Sequence, residues 1–340
     1  MKKVLHLSHH YGCLKDHQYV CNSLGLNLTS CFSLWNTVIP QGCFSMTESL
    51  ANNIWEKNKE YFKTFDYIIT SDTTPLSRII LQNLEEFNGK LNIWVCNRFD
   101  YAVNGDHSYY NLFKYASKHD RVKIIPYTEF ERFYLNNFDI QTNQETIRPI
   151  GLNIETSLSD NEISEIGYDD NETIDLNLSG EVLISRYHND NIFQNSKEIC
   201  ESFDLVCKHA KYRGFNELKI LKNNYNCFLI FPEQYSKLIA FELMQLGMPV
   251  ILPSRELLLK CSNKPNYFFG SGINHQTIEY CEWYNEYFQR FAVYFEDISS
   301  IKESVNFVKE NKTIISSIMK ECSEEHIKKT LNQWSKVYNV

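Results

Sequence analysis

Residues 227–254, CFLIFPEQYSKLIAFELMQLGMPVILPS, leave the chain few folds to choose from. Cys227, Phe228, Leu229, Ile230 and Phe231 form an apolar run with the length and composition of a buried strand. Pro232 stops it, because proline cannot donate to a strand ladder. Ser236 is the expected N-cap of a helix over residues 237–246, and Gly247 the residue that closes it. Residues 249–252, PVIL, make a second short strand. Strand, loop, helix, glycine and strand are a βαβ unit, which calls for a parallel sheet. In open sheets of that kind ligands sit beyond the strand C-termini and against helix N-termini.

One residue of that helix is out of place. Glu242 shares a face with Leu238 and Ile239 behind it and Leu246 ahead of it. Burying a polar group without a partner costs about 2–7 kcal/mol, and a charge costs more. Something therefore satisfies this carboxylate. An ion pair or an edge-of-sheet position would do so, and so would the hydroxyls of a ligand.

Residues 242–250, ELMQLGMPV, resemble the E-A-M-A-x-G-x-P-V segment of GT-B-fold glycosyltransferases, above all the family 4-like retaining enzymes of glycosyl transferases group 1. The resemblance implies that Glu242 binds the ribose of a nucleotide-sugar donor, with Ser236, Lys237 and Leu238 near its diphosphate. A second glutamate of the family, eight residues earlier, lies close to the donor sugar; that position is Gln234 here, with Glu233 beside it. This departure bears on the donor sugar and the stereochemistry. The family also carries an arginine, with a lysine five residues on, that neutralise the diphosphate. Arg186 fits the first position, Asn191 stands at the second, and Lys237 is the cation expected to make up the difference. The loop KHAKYRG, residues 208–214, falls where the family lines its nucleobase slot. There Tyr212 would stack on the base and backbone around Arg213 would read its edge; the alternative is an ordinary basic loop.

The rest of the chain alternates strand and helix signals. Strands are expected at residues 3–8, 26–31, 65–70, 91–96 and 122–126, with helices at 16–24, 76–87, 109–117 and 128–136. The last of these opens on Thr128-Glu129-Phe130-Glu131, a capping-box pattern. Residues 24–29, LGLNLT, are similar to the L-G-H-x-V-T turn of the GT-B N-terminal domain, and IRPIG at 147–151 to the I-P-N-G that closes it. A second series follows, with strands at 181–185 and 205–208, a helix at 214–221 and a helical tail over 299–338. Aromatic residues between Cys281 and Phe295 have helical spacing and read as core. The expected domains are a Rossmann-like acceptor domain at 1–152, an acidic linker or surface excursion at 153–179, a nucleotide-sugar-binding Rossmann-like domain at 180–315 and a C-terminal helix at 316–340. The fold class is thus α/β, GT-B, with two doubly wound domains facing across a cleft.

Other chemistry is weighed against this. The loop HHYGCLKDH, residues 9–17, holds three histidines and an aspartate beyond the first strand, but at no defined zinc spacing. In GT-B enzymes this loop borders the acceptor, which implies an acceptor contact for His10. His17 or Asp16 would be the general base if the reaction inverts; the plain alternatives are a helix N-cap for Asp16 and an exposed His17. Arg98 and Asp100 follow a strand toward the same acceptor region, or form a mutual surface pair worth roughly 0–1 kcal/mol. The chain has no Asp-x-Asp at a strand end, so no metal is expected. It also lacks G-x-x-x-x-G-K-[ST], G-x-G-x-x-G and G-x-S-x-G, the supports of kinase, dinucleotide and serine-hydrolase readings.

A net charge of −8 argues against a general nucleic-acid binder. Eleven cysteines without a C-x-x-C suit reduced thiols in the cytoplasm. MKKVLHLSHH reads as a first strand, not a signal peptide, and no window approaches a membrane span. Peripheral membrane contact stays open. The function implied is transfer of a sugar from a UDP- or GDP-sugar to a hydroxyl of a glycan, lipid or protein, without metal and with retention. The alternatives are a GT-B-fold sugar-nucleotide epimerase and a non-catalytic sugar-nucleotide-binding homologue, the latter motivated by Gln234 and Asn191.

Overall fold

The computed structural model describes residues 1–30, 44–103, 105–142, 144–151, 180–185, 190–209, 215–262 and 273–340. The acidic stretch at 153–179 lies outside them. The chain divides into two compact units, Met1–Pro149 with Lys328–Val340, and Ile150–Ile327.

Unit 1 is built on β1 (Lys3–Leu7), β2 (Asn27–Ser30), β3 (Tyr67–Thr70), β4 (Lys90–Val95) and β5 (Val122–Pro126). They form one all-parallel sheet in the order β2-β1-β3-β4-β5. Every residue of β3 is buried, as is β4 from Leu91 onward, because crossover helices cover both faces of a parallel sheet. The helices are α1 (Tyr11–Ser23), α2 (Glu48–Phe62), α3 (Arg78–Leu81), α4 (His107–Ala116) and α5 (Glu129–Asn136). The capping box at Thr128 and Glu131 is formed as the sequence suggests.

Unit 2 repeats the plan with β6 (Val182–Ile184), β7 (Cys207–His209), β8 (Cys227–Leu229), β9 (Val250–Pro253) and β10 (Val293–Phe295). Its sheet is also all parallel, in the order β10-β9-β8-β6-β7. Its helices are α6 (Asp190–Ser202), α7 (Phe215–Asn224), α8 (Leu238–Leu246), α9 (Arg255–Ser262), α10 (Phe288–Phe291) and α11 (Ile301–Tyr338). Counted from its own first strand, each sheet runs 2-1-3-4-5. The winding therefore reverses between β1 and β3, and again between β6 and β8. Those two points are where a doubly wound sheet opens a crevice at its strand C-termini.

Not every element matches the sequence reading. α2 falls in a stretch left unassigned there, although Thr47 caps it and Ala51, Ile54, Trp55 and Phe62 bury its inner face. The helix expected over 76–87 shrinks to a 3₁₀ turn at Thr74–Ser77 and the single turn of α3. Beyond it the Asn83 side chain donates to the Ile79 carbonyl at 3.0 Å, and the chain continues as turns to Phe87. The aromatic stretch at 281–295 is indeed core, yet it holds 3₁₀ turns, α10 and the strand β10 instead of one helix. The helical tail expected over 299–338 is present as α11, whose residues up to Ile327 belong to unit 2 and from Lys328 to unit 1. Among the described residues no helix is long and apolar enough to cross a membrane.

Candidate functional site

The loop between β8 and α8 leaves the sheet at the switch point of unit 2, and neighbouring side chains fix its path. Phe231 meets Phe295 of β10 edge-on at 5.8 Å. The Tyr235 hydroxyl and Thr277 Oγ1 are hydrogen-bonded at 2.7 Å. The Tyr235 carbonyl accepts the Glu282 N–H at 2.8 Å. Glu233, buried in this loop, is ion-paired with Lys237 four residues on. Burial pulls the Lys237 ammonium below its ordinary range, and the Glu233 carboxylate offsets part of that shift.

The helix begins one residue later than the sequence suggests. Lys237 is its N-cap, extended at φ −136° and ψ 144°, and makes no side-chain cap bond. Lys237 is ion-paired with Glu233, and Ser236 lies just before the cap instead of forming it. Ser236 Oγ is buried and has no hydrogen-bond partner among the described residues. At the far end Gly247 takes the left-handed conformation, φ 64°, as expected of a closing glycine.

Glu242 is 4 % exposed, in the middle of α8. Residues 150 and 151 lie against the same helix. Gln245 Nε2 donates to the Ile150 carbonyl at 2.6 Å. Gly151 has φ 100°, and a β-carbon there would stand 3.1 Å from the Glu242 nitrogen. Only glycine fits such a conformation at such a distance. The backbone at the end of Ile-Arg-Pro-Ile-Gly thus helps fix the turn of α8 that carries Glu242. Gln234 is exposed and Leu238 half-buried at the start of the helix. Arg186, Tyr212 and Arg213 lie outside the described residues.

In unit 1 the first loop is shorter than expected, and two expectations change with it. α1 starts at Tyr11, capped by His10, whose Nδ1 accepts the Cys13 N–H at 3.3 Å. Asp16 is therefore not a cap; it lies in the second turn of α1, fully buried. Nor is His17 exposed. Its Nε2 is 2.7 Å from the Tyr338 hydroxyl, and its ring packs against His6 and Trp334 at 5.1 and 4.6 Å. Both side chains are buried in the helix and not members of an open loop. Arg98 is exposed and lies 3.9 Å from Asp100. Asp100 is buried and accepts the hydroxyls of Tyr110 and Tyr134, each at 3.0 Å. The two residues thus form a pair, with Asp100 buried and not on the surface as a mutual surface pair would have it.

The buried His17 ring makes the stability of the protein depend on pH. Burial pushes its pKa down to about 3, so the folded protein refuses a proton that the unfolded chain accepts near pH 6.5. The contribution of the neutral ring is full above pH 6.5 and is lost as pH falls toward 3. Between pH 7 and pH 5 the loss should be about 2 kcal/mol. Asp72, pushed up to about 6 by its burial, works in the opposite sense over the same range. Comparison with His17→Gln cancels that term. Urea unfolding at the two pH values should show the native protein losing about 2 kcal/mol more than the variant. Parallel losses would mean that His17 is protonated in the folded state.

The sequence reading missed a second grouping at the unit 1 switch point. Cys13, Ser71 and Asp72 follow β1 and β3, and Cys96 follows β4, its sulfur 3.9 Å from that of Cys13. The available signal was positional, since Ser71, Asp72 and Cys96 lie just past strand ends and Cys13 in the first turn of the helix that follows β1. Among the described residues no cluster of three or more His, Cys, Asp or Glu side chains is arranged to hold a metal ion.

Comparison with protein-family models and with curated protein sequences finds no match. Solved structures do resemble the chain. The apo structure of OtsA aligns over 99% of this chain and 98% of its own, with a TM-score of 0.55 at 10% identity. CalG4, the calicheamicin glycosyltransferase, aligns over 96% and 94% with a TM-score of 0.42 at 9% identity. The UDP co-structure of S. aureus MnaA covers 98% of each chain with a TM-score of 0.45 at 11% identity. At such identities likeness speaks of fold alone, and the OtsA alignment carries it. With two parallel five-stranded sheets of one winding order, the fold is GT-B, with two Rossmann-like domains.

Proposed function

We propose that the chain is a nucleotide-sugar-dependent glycosyltransferase of the family 4-like group, whose donor site is the β8–α8 loop and α8. The observation that carries this is Glu242, a carboxylate buried at 4 % exposure on the helix that follows the unit 2 switch point. In this reading its two oxygens accept the ribose hydroxyls of a UDP- or GDP-sugar. Charge-assisted bonds of that kind are about twice as strong as neutral ones. The diphosphate lies at the N-terminus of α8, where Ser236 Oγ, Lys237 and the backbone at Leu238 meet it. Transfer breaks the bond between the anomeric carbon and the diphosphate oxygen and forms one to an acceptor hydroxyl. The charge growing on the leaving group is met by Lys237, by the helix terminus and, with Arg186, by a further cation. No metal is required for that step. Glu233 and Gln234 are assigned to the donor sugar, and Tyr212 and Arg213 to the base. His10 and Arg98 are assigned to the acceptor side of unit 1.

Calorimetric titration of UDP and GDP into the native protein and Glu242→Gln tests the reading. The native protein should bind one of them. The variant should bind it on the order of tenfold more weakly or worse, since each lost bond to a charged group contributes about 1.5–3 kcal/mol. Equal affinity would make Glu242 a structural residue instead of a ribose ligand. Turnover of a sugar nucleotide to an isomer without any acceptor would favour the epimerase reading.

A further inference from the structure

We propose that Cys13 and Cys96 form a reactive dithiol that closes to a disulfide by exchange with a small-molecule disulfide. Three strand ends meet there. Cys13 is in the first turn of the thirteen-residue α1, its N–H bonded to His10 Nδ1. Cys96 is half-buried, one residue past β4. Asp72, two residues past β3, sits at φ 66° and is tied by its Oδ1 to Asn97 Nδ2 at 3.2 Å. The two sulfurs, 3.9 Å apart, must approach by roughly 2 Å to reach the length of a disulfide, a displacement within reach of side-chain rotation. Neither residue takes part in the donor site proposed above, so this inference stands apart from that reading.

The environments of the two thiols differ. Hydrogen bonding to Cys96 holds the Cys13 thiol well below the ordinary range, with His10 acting in the same direction against the cost of burial. Burial pushes the Cys96 thiol up. Cys13 is therefore the attacking thiolate and Cys96 the resolving thiol. In the first step Cys13 sulfur attacks one sulfur of a disulfide RSSR, forming a mixed disulfide and expelling RS⁻. In the second, Cys96 loses its proton to solvent and attacks the Cys13 sulfur, expelling the second RS⁻. The sum is two protein thiols and RSSR giving one protein disulfide and two RSH, so electrons and protons balance.

Oxidised glutathione is the probe. The reduced full-length protein is incubated with it, the remaining thiols are blocked with iodoacetamide, and a digest is read by mass spectrometry. The expected result is a dominant linked peptide joining Cys13 to Cys96. Cys96→Ser should give none of it and should instead accumulate glutathione on Cys13. Cys13→Ser should abolish both products; if that variant fails to fold, the Cys96→Ser result decides alone. A dominant link elsewhere, such as Cys200 to Cys207, or no glutathione on Cys13 in the Cys96→Ser protein, overturns the proposal.

Discussion

Trp334→Ala should lower the stability of unit 1 by about 3–5 kcal/mol, the usual cost of deleting a buried aromatic side chain. The ring is fully buried. It meets Trp94 edge-on at 5.5 Å, packs on His17 at 4.6 Å and stacks on Tyr338 at 5.8 Å. Trp94 is fixed in turn by a 2.8 Å hydrogen bond from its indole nitrogen to the Ile147 carbonyl. Removing Trp334 would therefore open a cavity in a rigid neighbourhood that cannot collapse around it. The loss should appear in urea unfolding followed by circular dichroism. Trp334→Phe, which retains most of the packing, should lose clearly less. A loss below about 1 kcal/mol for the alanine variant would show that this end of α11 is not a working part of the unit 1 core.

Arg78→Ala should cost about as much, 3–5 kcal/mol, for a different reason. The Arg78 side chain is 2 % exposed, yet its charge is fully engaged. It bonds Asp106 at 2.5 Å, Ser108 Oγ at 2.8 Å, Gln82 Oε1 at 2.8 Å and the Met46 carbonyl at 3.3 Å. Asp106 is itself the N-cap of α4, accepting the Tyr109 N–H at 2.9 Å. One guanidinium thus joins the residues before α2, α3 and the start of α4. Arg78→Lys keeps the charge but not the planar fork, and should recover under half of the loss. Thermal unfolding of the three proteins checks the order. Equal stability of the alanine and native proteins would mean that solvent replaces the guanidinium without penalty.

How far the sequence foretold this structure depends on what each residue's neighbours contribute. The strands were plain because a parallel strand covered on both faces is apolar throughout, as at Tyr67–Thr70 and Cys227–Leu229. Thr128 and Glu131 announced their helix because a capping box is a local interaction. Asp16 was misjudged because α1 starts at Tyr11, and His17 because what packs on it is distant in sequence: Tyr338 and Trp334 reach it from more than three hundred residues away. A polar residue in a short helix reads as exposed until that partner is known. Ser236 lies one residue before the cap, a difference in helix boundary finer than residue propensity resolves. At the candidate site Glu242 was conspicuous, since a carboxylate among leucines breaks the helical pattern. Cys13 and Cys96 were not, because only the order of strands in the sheet brings them together.

The final turns of α11 have a bearing on the order in which the protein can be made. The last carbonyls of that helix are taken up by unit 1: Lys2 Nζ and the Tyr67 hydroxyl reach the Tyr338 carbonyl at 2.6 and 2.9 Å, and Lys123 Nζ reaches that of Val337 at 2.7 Å. As residues 1–149 leave the ribosome, their sheet can form, but the hollow beside Trp94 and His17 stays unfilled until residues 328–340 follow. At about 5–20 residues per second that wait is on the order of ten seconds or more. For that interval the nascent N-terminal domain carries an uncovered apolar face, the kind of surface that chaperones hold. Native packing there becomes possible only after the whole of unit 2 has been synthesised.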